Sequence, residues 1–552
     1  MFAIFAKNPS RLADAIQAKC KVLKSETGTL PVYKIALEDE KINVDGCRRF
    51  RFGKTQPGIR NRTIMVLGAT GAGKTTLING MINYILGVEW EDPYRFMLVD
   101  EDQSKSQAES QTSEVTVYKI NHQEGFKIPS SLTIVDTPGF GDTRGIKRDK
   151  EITEQIRNLF SSERGVSEID AVCFVAQASL ARLTPSQKYV LDSVLSIFGK
   201  DVAENIQVLV TFADGKRPPV LEAINASGVP CPMTKDKLPV HFKFNNSALF
   251  AQNKSSVAAN LSGDDDEDFD QMFWKMGAKS MKRFYDALDM MTTKSLTMTK
   301  EVLKERKRLE ISIEYLQKQV KVGLAKLDEI KVISEQLKLH DAECTRNAKF
   351  EIEIVVTRPV QIDISGTGKF DTNCQVCHVT CHWPCDHADD KNKQYCGAMG
   401  PDGQCTVCPG KCHWGQHFNQ KYRWEYKQFK EKQTVQELKQ KYLKASKAKG
   451  TVKDLTDGLK LEYQSLQVEV TKMMESSVTC LNRLGEIALR PNPLSTPEYI
   501  DLLIEGEKSE GKPGCNERVR YLMEMRGQAG LLARVERGDN LLDEGELRPV
   551  PT

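Results

Sequence analysis

The segment Gly68-Ala69-Thr70-Gly71-Ala72-Gly73-Lys74-Thr75 constrains this chain more than any other, because it fits the pattern GxxxxGK[ST] completely. It follows the apolar run RTIMVL and opens the stretch TTLINGMINYIL. A buried strand should therefore pass through a glycine-rich turn into a helix. Gly71 and Gly73 let backbone N–H groups turn inward around a phosphate without a Cβ clash. The helix N-terminus adds a favourable dipole for an anion. Lys74 can reach the β- and γ-phosphates, the Thr75 hydroxyl can coordinate Mg2+, and Thr76 continues the same helical turn.

Asp136-Thr137-Pro138-Gly139 closes the next strong strand, SLTIVD. A carboxylate there can hold the water shell of Mg2+, and the Gly139 N–H can sense a γ-phosphate. DAVCFVA and IQVLVTF read as further buried strands, and TPSQKYVLDSVLSIFG has helical periodicity. The alternation implies an α/β P-loop domain over 57–285, with a mainly parallel sheet and helices on both faces. Residues 1–56 hold two candidate strands, LPVYKIAL and CRRFRFGK. The acidic run Asp264 to Asp270 reads as a solvated loop.

DTPGFGD resembles the switch II segment of septins. Arg182-Leu183-Thr184, Phe198-Gly199 and IQVLVTFAD are similar to the immunity-associated (avirulence-induced) GTPases. The resemblance spans about 62–250. It implies a GTP/GDP site with Mg2+, catalytic parts at Lys74, Thr112, Asp136 and Gly139, and homo-oligomers formed through the G domain. Thr112, in SQTSEVT, matches the switch I threonine that binds Mg2+ with Thr75 and Asp136; Ser110, Ser113 and Thr116 offer other registers. Thr211-Phe212-Ala213-Asp214 matches the base-recognition motif [NT]KxD, with Phe212 in place of the Lys. Asp214 would accept guanine N1–H and N2–H2, which adenine cannot supply; ATP is the alternative. Ser247-Ala248 matches the last base-contacting loop. Phe140 stands where Ras-like enzymes place a water-orienting glutamine, and Phe cannot position water. Hydrolysis is then slow, or relies on Arg144 or on an arginine from a partner G domain.

Beyond this domain the period changes. Val302, Leu309, Leu316, Gly323, Ile330 and Leu337 fall seven apart, as do Leu438, Ala445, Val452, Leu459, Leu466, Met473 and Cys480. Both are coiled-coil spacings. They predict a first helix over 286–345 and a return helix over 435–485, an antiparallel arm with a small β/zinc tip at 346–434. Residues 486–552 read as short helices.

Inside that tip, 374–417 holds eight of the fifteen cysteines and five of the eight histidines, as an imperfect repeat: CQVCHVTCHWPCDH, then CTVCPGKCHWGQH. Such density suits Zn2+, which takes four N or S ligands in a tetrahedron. Cys374, Cys377, Cys381, Cys385, His387 and Cys396 can supply one site; Cys405, Cys408, Cys412 and His417 supply the other. Two structural ions follow, although a third ion or a cross-braced arrangement would also use these donors. His378, His382 and His413 are read as supporting groups.

Lys+Arg is 78 against Asp+Glu 75, so net charge makes no global case for nucleic acid or an anionic membrane. The stretch 421–453 holds eleven basic residues and three Glu, and could meet either surface. No export signal is evident, so the expected compartment is the cytosol, with reduced thiols. The expected function is a GTP-binding switch or assembly protein with slow, dimerisation-dependent hydrolysis, acting on a protein partner through the arm or tip. A scaffold with little turnover and an ATP-using mechanochemical protein are the alternatives.

Overall fold

The computed structural model describes residues 11–24, 30–100, 113–141, 144–181, 184–251, 266–339, 349, 351–385, 390–400, 402–408, 410–434, 436–437, 452–490, 497–510, 515–539 and 541. The chain divides into two compact units. The first comprises Met1–Leu303, Ile487–Leu494 and Glu498–Glu524; the second comprises Lys304–Glu486, Ser495–Pro497 and Met525–Thr552.

The first unit is built on an eight-stranded sheet. Its strands are β1 (Glu38–Asp39), β2 (Cys47–Phe52), β3 (Asn61–Gly68), β4 (Val115–Ile120), β5 (Ser131–Asp136), β6 (Ala171–Gln177), β7 (Ile206–Thr211) and β8 (His241–Lys243), in the order β8-β7-β6-β3-β5-β4-β2-β1. From β8 to β5 every pairing is parallel; β4 turns antiparallel against β5. Every residue of β5 and β7 is buried, as expected of parallel strands covered on both faces. The longer helices around the sheet are α1 (Lys74–Ile85), α2 (Ile146–Ser161), α3 (Pro185–Leu195) and α4 (Asp266–Met290), with shorter ones at Leu12–Gln17 and Val220–Ala226. CRRFRF is strand β2, so this part of the N-terminal segment extends the sheet of the α/β domain.

A buried ion pair locks the sheet at the end opposite the glycine-rich loop. Arg62 Nη1 meets Asp170 Oδ1 at 2.6 Å with both side chains buried. Asp170 also accepts from the Thr63 N–H and the Thr293 hydroxyl, each at 2.7 Å, so the desolvated carboxylate keeps its partners. The acidic run is corrected in part: Asp266 to Asp270 begin α4 and do not form a loop. Carboxylates in a first helical turn complement the helix dipole.

The second unit pairs two long helices, α5 (Thr297–Leu339) and α6 (Val452–Ile487). Ser312 and Ser477 share a 2.8 Å hydroxyl contact, and Ile311, Tyr315 and Leu316 are buried with Val470 and Met473. Glu305 lies beside Cys480 and Ser312 beside Ser477, so numbers rise along one helix as they fall along the other and the pair is antiparallel. Strands β9 (Glu351–Asp363), β10 (Phe370–Cys374), β11 (Val379–Cys385), β12 (His417–Gln420) and β13 (Tyr422–Thr434) follow α5. β9 and β13 form a two-stranded ribbon of 13 residues a side, and the sheet β11-β10-β12 carries the cysteines.

The placement of that cysteine module differs from the expected tip. Cys374, Cys381, Cys405 and Cys408 share one core with Ile311, Tyr315, Leu316 and Val320, around the middle of α5. The ribbon supplies the distance. Thirteen extended residues span roughly 43 Å at 3.3 Å each. The helix from its middle to Leu339 covers roughly 35 Å at 1.5 Å per residue. The ribbon therefore carries the chain back beside the helices. The C-terminal segment forms helices Pro497–Glu510 and Cys515–Arg537, the second longer than the short helices expected there.

Candidate nucleotide site and metal centre

β3 ends at Gly68 and α1 begins at Lys74, so the glycine-rich loop sits at the C-terminal edge of the parallel sheet. Gly73 caps α1 in the left-handed region (φ 79°, ψ 25°) with no side-chain cap, which leaves the first-turn N–H groups for an external acceptor. Gly71 is also left-handed, at φ 76°. Lys74 Nζ is buried and donates to the carbonyls of Gly68 and Ala69 at 3.2 and 3.0 Å. Burial pulls its ammonium down to about 8, against the opposing charge of buried Asp136. Thr75 and Thr76 are half-buried in the same turn.

The turn after β5 lies directly on this loop. Thr70 N–H donates to the Phe140 carbonyl at 2.9 Å, and Phe140 N–H to Gly68 at 3.2 Å. A Cβ on Gly139 would stand 2.5 Å from Thr70 Oγ1 and 2.6 Å from its Cα, a separation no real side chain adopts. Gly139→Ala should therefore push the two loops apart. We expect GTP affinity to fall at least tenfold relative to GDP, read by competition with a fluorescent nucleotide; equal loss for both would contradict this.

The Phe140 side chain is fully buried, and Arg144 is exposed. Thr112 and Asp142 lie outside the described residues. The neighbouring Gly145 is in contact range of Arg518: a Cβ there would lie 2.8 Å from the Arg518 side chain. Nothing in the local sequence signals that contact.

The remaining predicted residues come to the same edge from β7 and β8. Thr211 Oγ1 donates to the Ala72 carbonyl at 2.7 Å, and Gln177 Nε2 to Gly71 at 2.9 Å. Phe212 adopts φ 50° and is 58% exposed, its ring 3.5 Å from where a Gly73 Cβ would stand. The ring thus covers the loop from the position where a lysine was expected. Asp214 accepts from the Lys216 N–H at 2.8 Å, and Lys243 braces the turn through the Gly215 and Lys216 carbonyls. Ser247 is exposed beside buried Ala248.

With the phosphate loop, the DTPG turn and the base loop on one sheet edge, likeness to known proteins decides the class. Residues 62–227 match the AIG1 family. This segment is a P-loop GTPase domain similar to the AIG1 family. The domain is 25% identical over 166 residues to the translocase of chloroplast 34 homolog of Chlamydomonas reinhardtii, covering 28% of this chain and 36% of that relative. The chain thus spans little more than a third of the curated relative it matches. Toc33 from Arabidopsis thaliana in complex with GDP and Mg2+ is similar at 16% identity, over 41% of this chain and 86% of that one, with a TM-score of 0.26. A solved structure of the chloroplast translocon components atToc33 and psToc159, for which dimerization is described as important for GTPase activity, matches at 18% identity. It covers 40% of this chain and 84% of that one, with a TM-score of 0.25.

These matches correct the expected cytosolic compartment. The relative that shares the GTPase domain is a chloroplast protein, so a cytosolic compartment does not follow. Among the described residues, no helix is long and apolar enough to cross a membrane. The thiols are nevertheless unbonded, on geometry alone: Cys377 and Cys412 Sγ lie 3.6 Å apart, far beyond the about 2.05 Å of a disulfide.

The cysteine module gathers its donors into three sets. They are Cys374, Cys377, Cys408 and Cys412; Cys381, Cys405, Cys408 and His417; and His382, Cys385 and Cys396. The division by repeat is therefore corrected. Cys412 of the second repeat joins Cys374 and Cys377 of the first, and Cys381 of the first joins the second repeat. Strand pairing is the reason: Cys374 stands directly opposite His417 across β10 and β12. His382, read as a supporting group, has Nδ1 3.2 Å from Cys396 Sγ. His387 lies outside the described residues.

The alternation of a regular strand would put Cys381, Trp383 and Cys385 on one face. Two register shifts interrupt the β10–β11 pairing, and Cys381 and Cys385, four residues apart and so about 13 Å along a strand, fall in different sets. No pattern in the sequence marks those shifts.

The spacings fit a tetrahedral metal. Zn–S bonds of about 2.3 Å place sulfurs about 3.8 Å apart; Cys377–Cys412 is 3.6 Å and Cys385–Cys396 is 3.8 Å. Backbone N–H groups of Cys377, Cys408 and Cys412 donate to Cys374, Cys405 and Cys408 sulfurs at 3.3 to 3.4 Å. His417 Nδ1 faces the His413 carbonyl at 3.2 Å, and its buried Nε2 has no hydrogen-bond partner. A ring held this way offers the Nε2 lone pair to a metal. Hydrogen bonds from Cys374 and then Cys381 draw the Cys408 thiol down to about 5, toward the thiolate a metal needs.

Proposed function

We propose that this chain is a guanine-nucleotide switch whose GTP hydrolysis is slow and completed by a second copy of its GTPase domain. Lys74 and the Gly68–Thr76 loop hold the phosphates, and Asp214 with Ser247 and Ala248 selects the base. Thr75 and Asp136 would hold Mg2+, with Thr112 as the switch I ligand. The ion would screen the phosphate charge. Asp136 is fully buried beside the Lys74 ammonium, which suits it to a cation shell.

The observation that carries the reading is Phe140. Its ring is buried and its backbone is bonded to the phosphate loop, so no side chain at this position can orient water. Charge stabilisation must come from further along, and Arg144 is the nearest exposed cation in that segment. The same burial supports the scaffold reading if no group supplies that charge.

The module of Cys374, Cys377, Cys381, Cys385, Cys396, Cys405, Cys408, Cys412 and His417, with His382 added, holds structural zinc. The helical pair and this module would form the surface that meets a protein partner.

The test is specific GTPase activity measured across two decades of protein concentration. Turnover per domain should rise with concentration, and Arg144→Ala should lower the stimulated rate by a thousandfold or so, the usual worth of a catalytic arginine. A rate independent of concentration removes the dimer requirement, and no turnover at any concentration selects the scaffold.

A further inference from the structure

We propose that Cys408 bridges two zinc ions, so that the module contains a thiolate-linked metal pair in place of two separate four-ligand sites. This rests on the zinc reading above. The ligand atoms of Cys374, Cys377, Cys408 and Cys412 lie within 4.8 Å of one another, and so do those of Cys381, Cys405, Cys408 and His417. Cys408 is common to both sets and completely buried.

Seven side chains can satisfy two tetrahedral ions only if one donor serves twice. A thiolate sulfur can do so, because deprotonation leaves it lone pairs for two metals. If Cys408 served the first ion alone, the second would keep, among the described residues, only Cys381, Cys405 and His417, all buried. If it served the second alone, the first would keep Cys374, Cys377 and Cys412. Either case leaves one closed site a donor short. The Cys412 N–H donates to Cys408 Sγ at 3.4 Å, a bond that helps hold the sulfur between the two sets. The repeat structure explains the design. Each CxxC pair supplies one knuckle, and strand pairing of Cys374 with His417 brings the knuckles close enough to share a sulfur.

The test uses the full purified chain. Its zinc X-ray absorption spectrum should show a metal–metal vector near 3.8 Å, from two bonds of about 2.3 Å meeting at a tetrahedral sulfur. Zinc content would then be compared for Cys408→Ser and Cys377→Ser after the same chelator challenge. The first should lose two ions relative to the unaltered chain and the second one. The separate trio of His382, Cys385 and Cys396 cancels from that comparison. Zinc without a metal–metal vector, and equal loss from both variants, would overturn the bridge and leave the zinc reading intact. Absence of zinc from the unaltered chain would overturn the zinc reading itself. The spectrum needs no variant to fold, so a misfolded Cys408→Ser cannot hide the answer.

Discussion

Stripping zinc from the intact chain should unfold the cysteine module while the GTPase domain stays folded. Among the described residues, what the module itself buries is largely its own ligands, Cys374, Cys381, Cys385, Cys396, Cys405, Cys408 and Cys412, with Val379, Ala398 and Val407, and its larger apolar neighbours come from the helices. Small residues of that kind bury too little apolar surface to offset backbone ordering. Structural zinc contributes about 10–16 kcal/mol in comparable small sites, which is most or all of the folding free energy of such a module. Hydrogen exchange after chelation should therefore show protection lost across β10, β11 and β12. Protection in β3, β5 and β7 should be retained, with GDP affinity unchanged within about twofold. Unaltered protection in the module would mean that metal does not hold it together.

Lys74→Ala should cost GTP at least a hundredfold in affinity. The ammonium is buried and already directed at the loop carbonyls of Gly68 and Ala69, so it is positioned before nucleotide arrives. Hydrogen bonds to charged groups contribute about 1.5–3 kcal/mol each, and two phosphate contacts together exceed the roughly 2.8 kcal/mol that corresponds to a hundredfold. Loss of less than tenfold, by nucleotide titration, would remove Lys74 from the phosphate site.

The same group sets a pH dependence. Burial lowers its pKa to about 8 without nucleotide, and phosphate charge must raise it on binding. Above pH 8 the free protein has lost a proton that the complex requires, so affinity falls as pH rises. Between pH 7 and 8.5 the protonated fraction, and hence the affinity, should drop about fourfold. Affinity that rises over this interval would contradict the assignment.

Much of the nucleotide site was legible in the order of its residues. The Gly68–Thr75 pattern, the Asp136–Gly139 turn and Asp214 each follow a strand, and a strand end sets the position of its next few residues. Spacing therefore located these groups on one sheet edge. Phe140 was legible as an absence of glutamine, but its burial was not, because that depends on how the turn seats against Thr70. Gly139 was assigned a sensing role, yet the immediate demand on it is steric, set by the close approach of Thr70. The seven-residue period pointed to two long helices, and Thr297–Leu339 and Val452–Ile487 are helical, with Leu438 and Ala445 outside the described residues; the return of the cysteine module to the middle of α5 had no signal in the sequence.

The sequence by itself determined the chemistry available to this protein. It placed a phosphate-loop pattern, a DTPG turn and a candidate base-recognition aspartate in an α/β domain, and ten candidate metal donors in a duplicated block. These are local facts, carried by residues a few positions apart. Only the tertiary structure decided which donors meet. The pairing of Cys374 with His417 joins residues from opposite repeats, and two register shifts interrupt the pairing of the strand that carries Cys381 and Cys385. A one-residue slip in strand register moves a side chain to the other face of the sheet. That choice depends on the packing of the whole module, so no spacing along the chain could have fixed it.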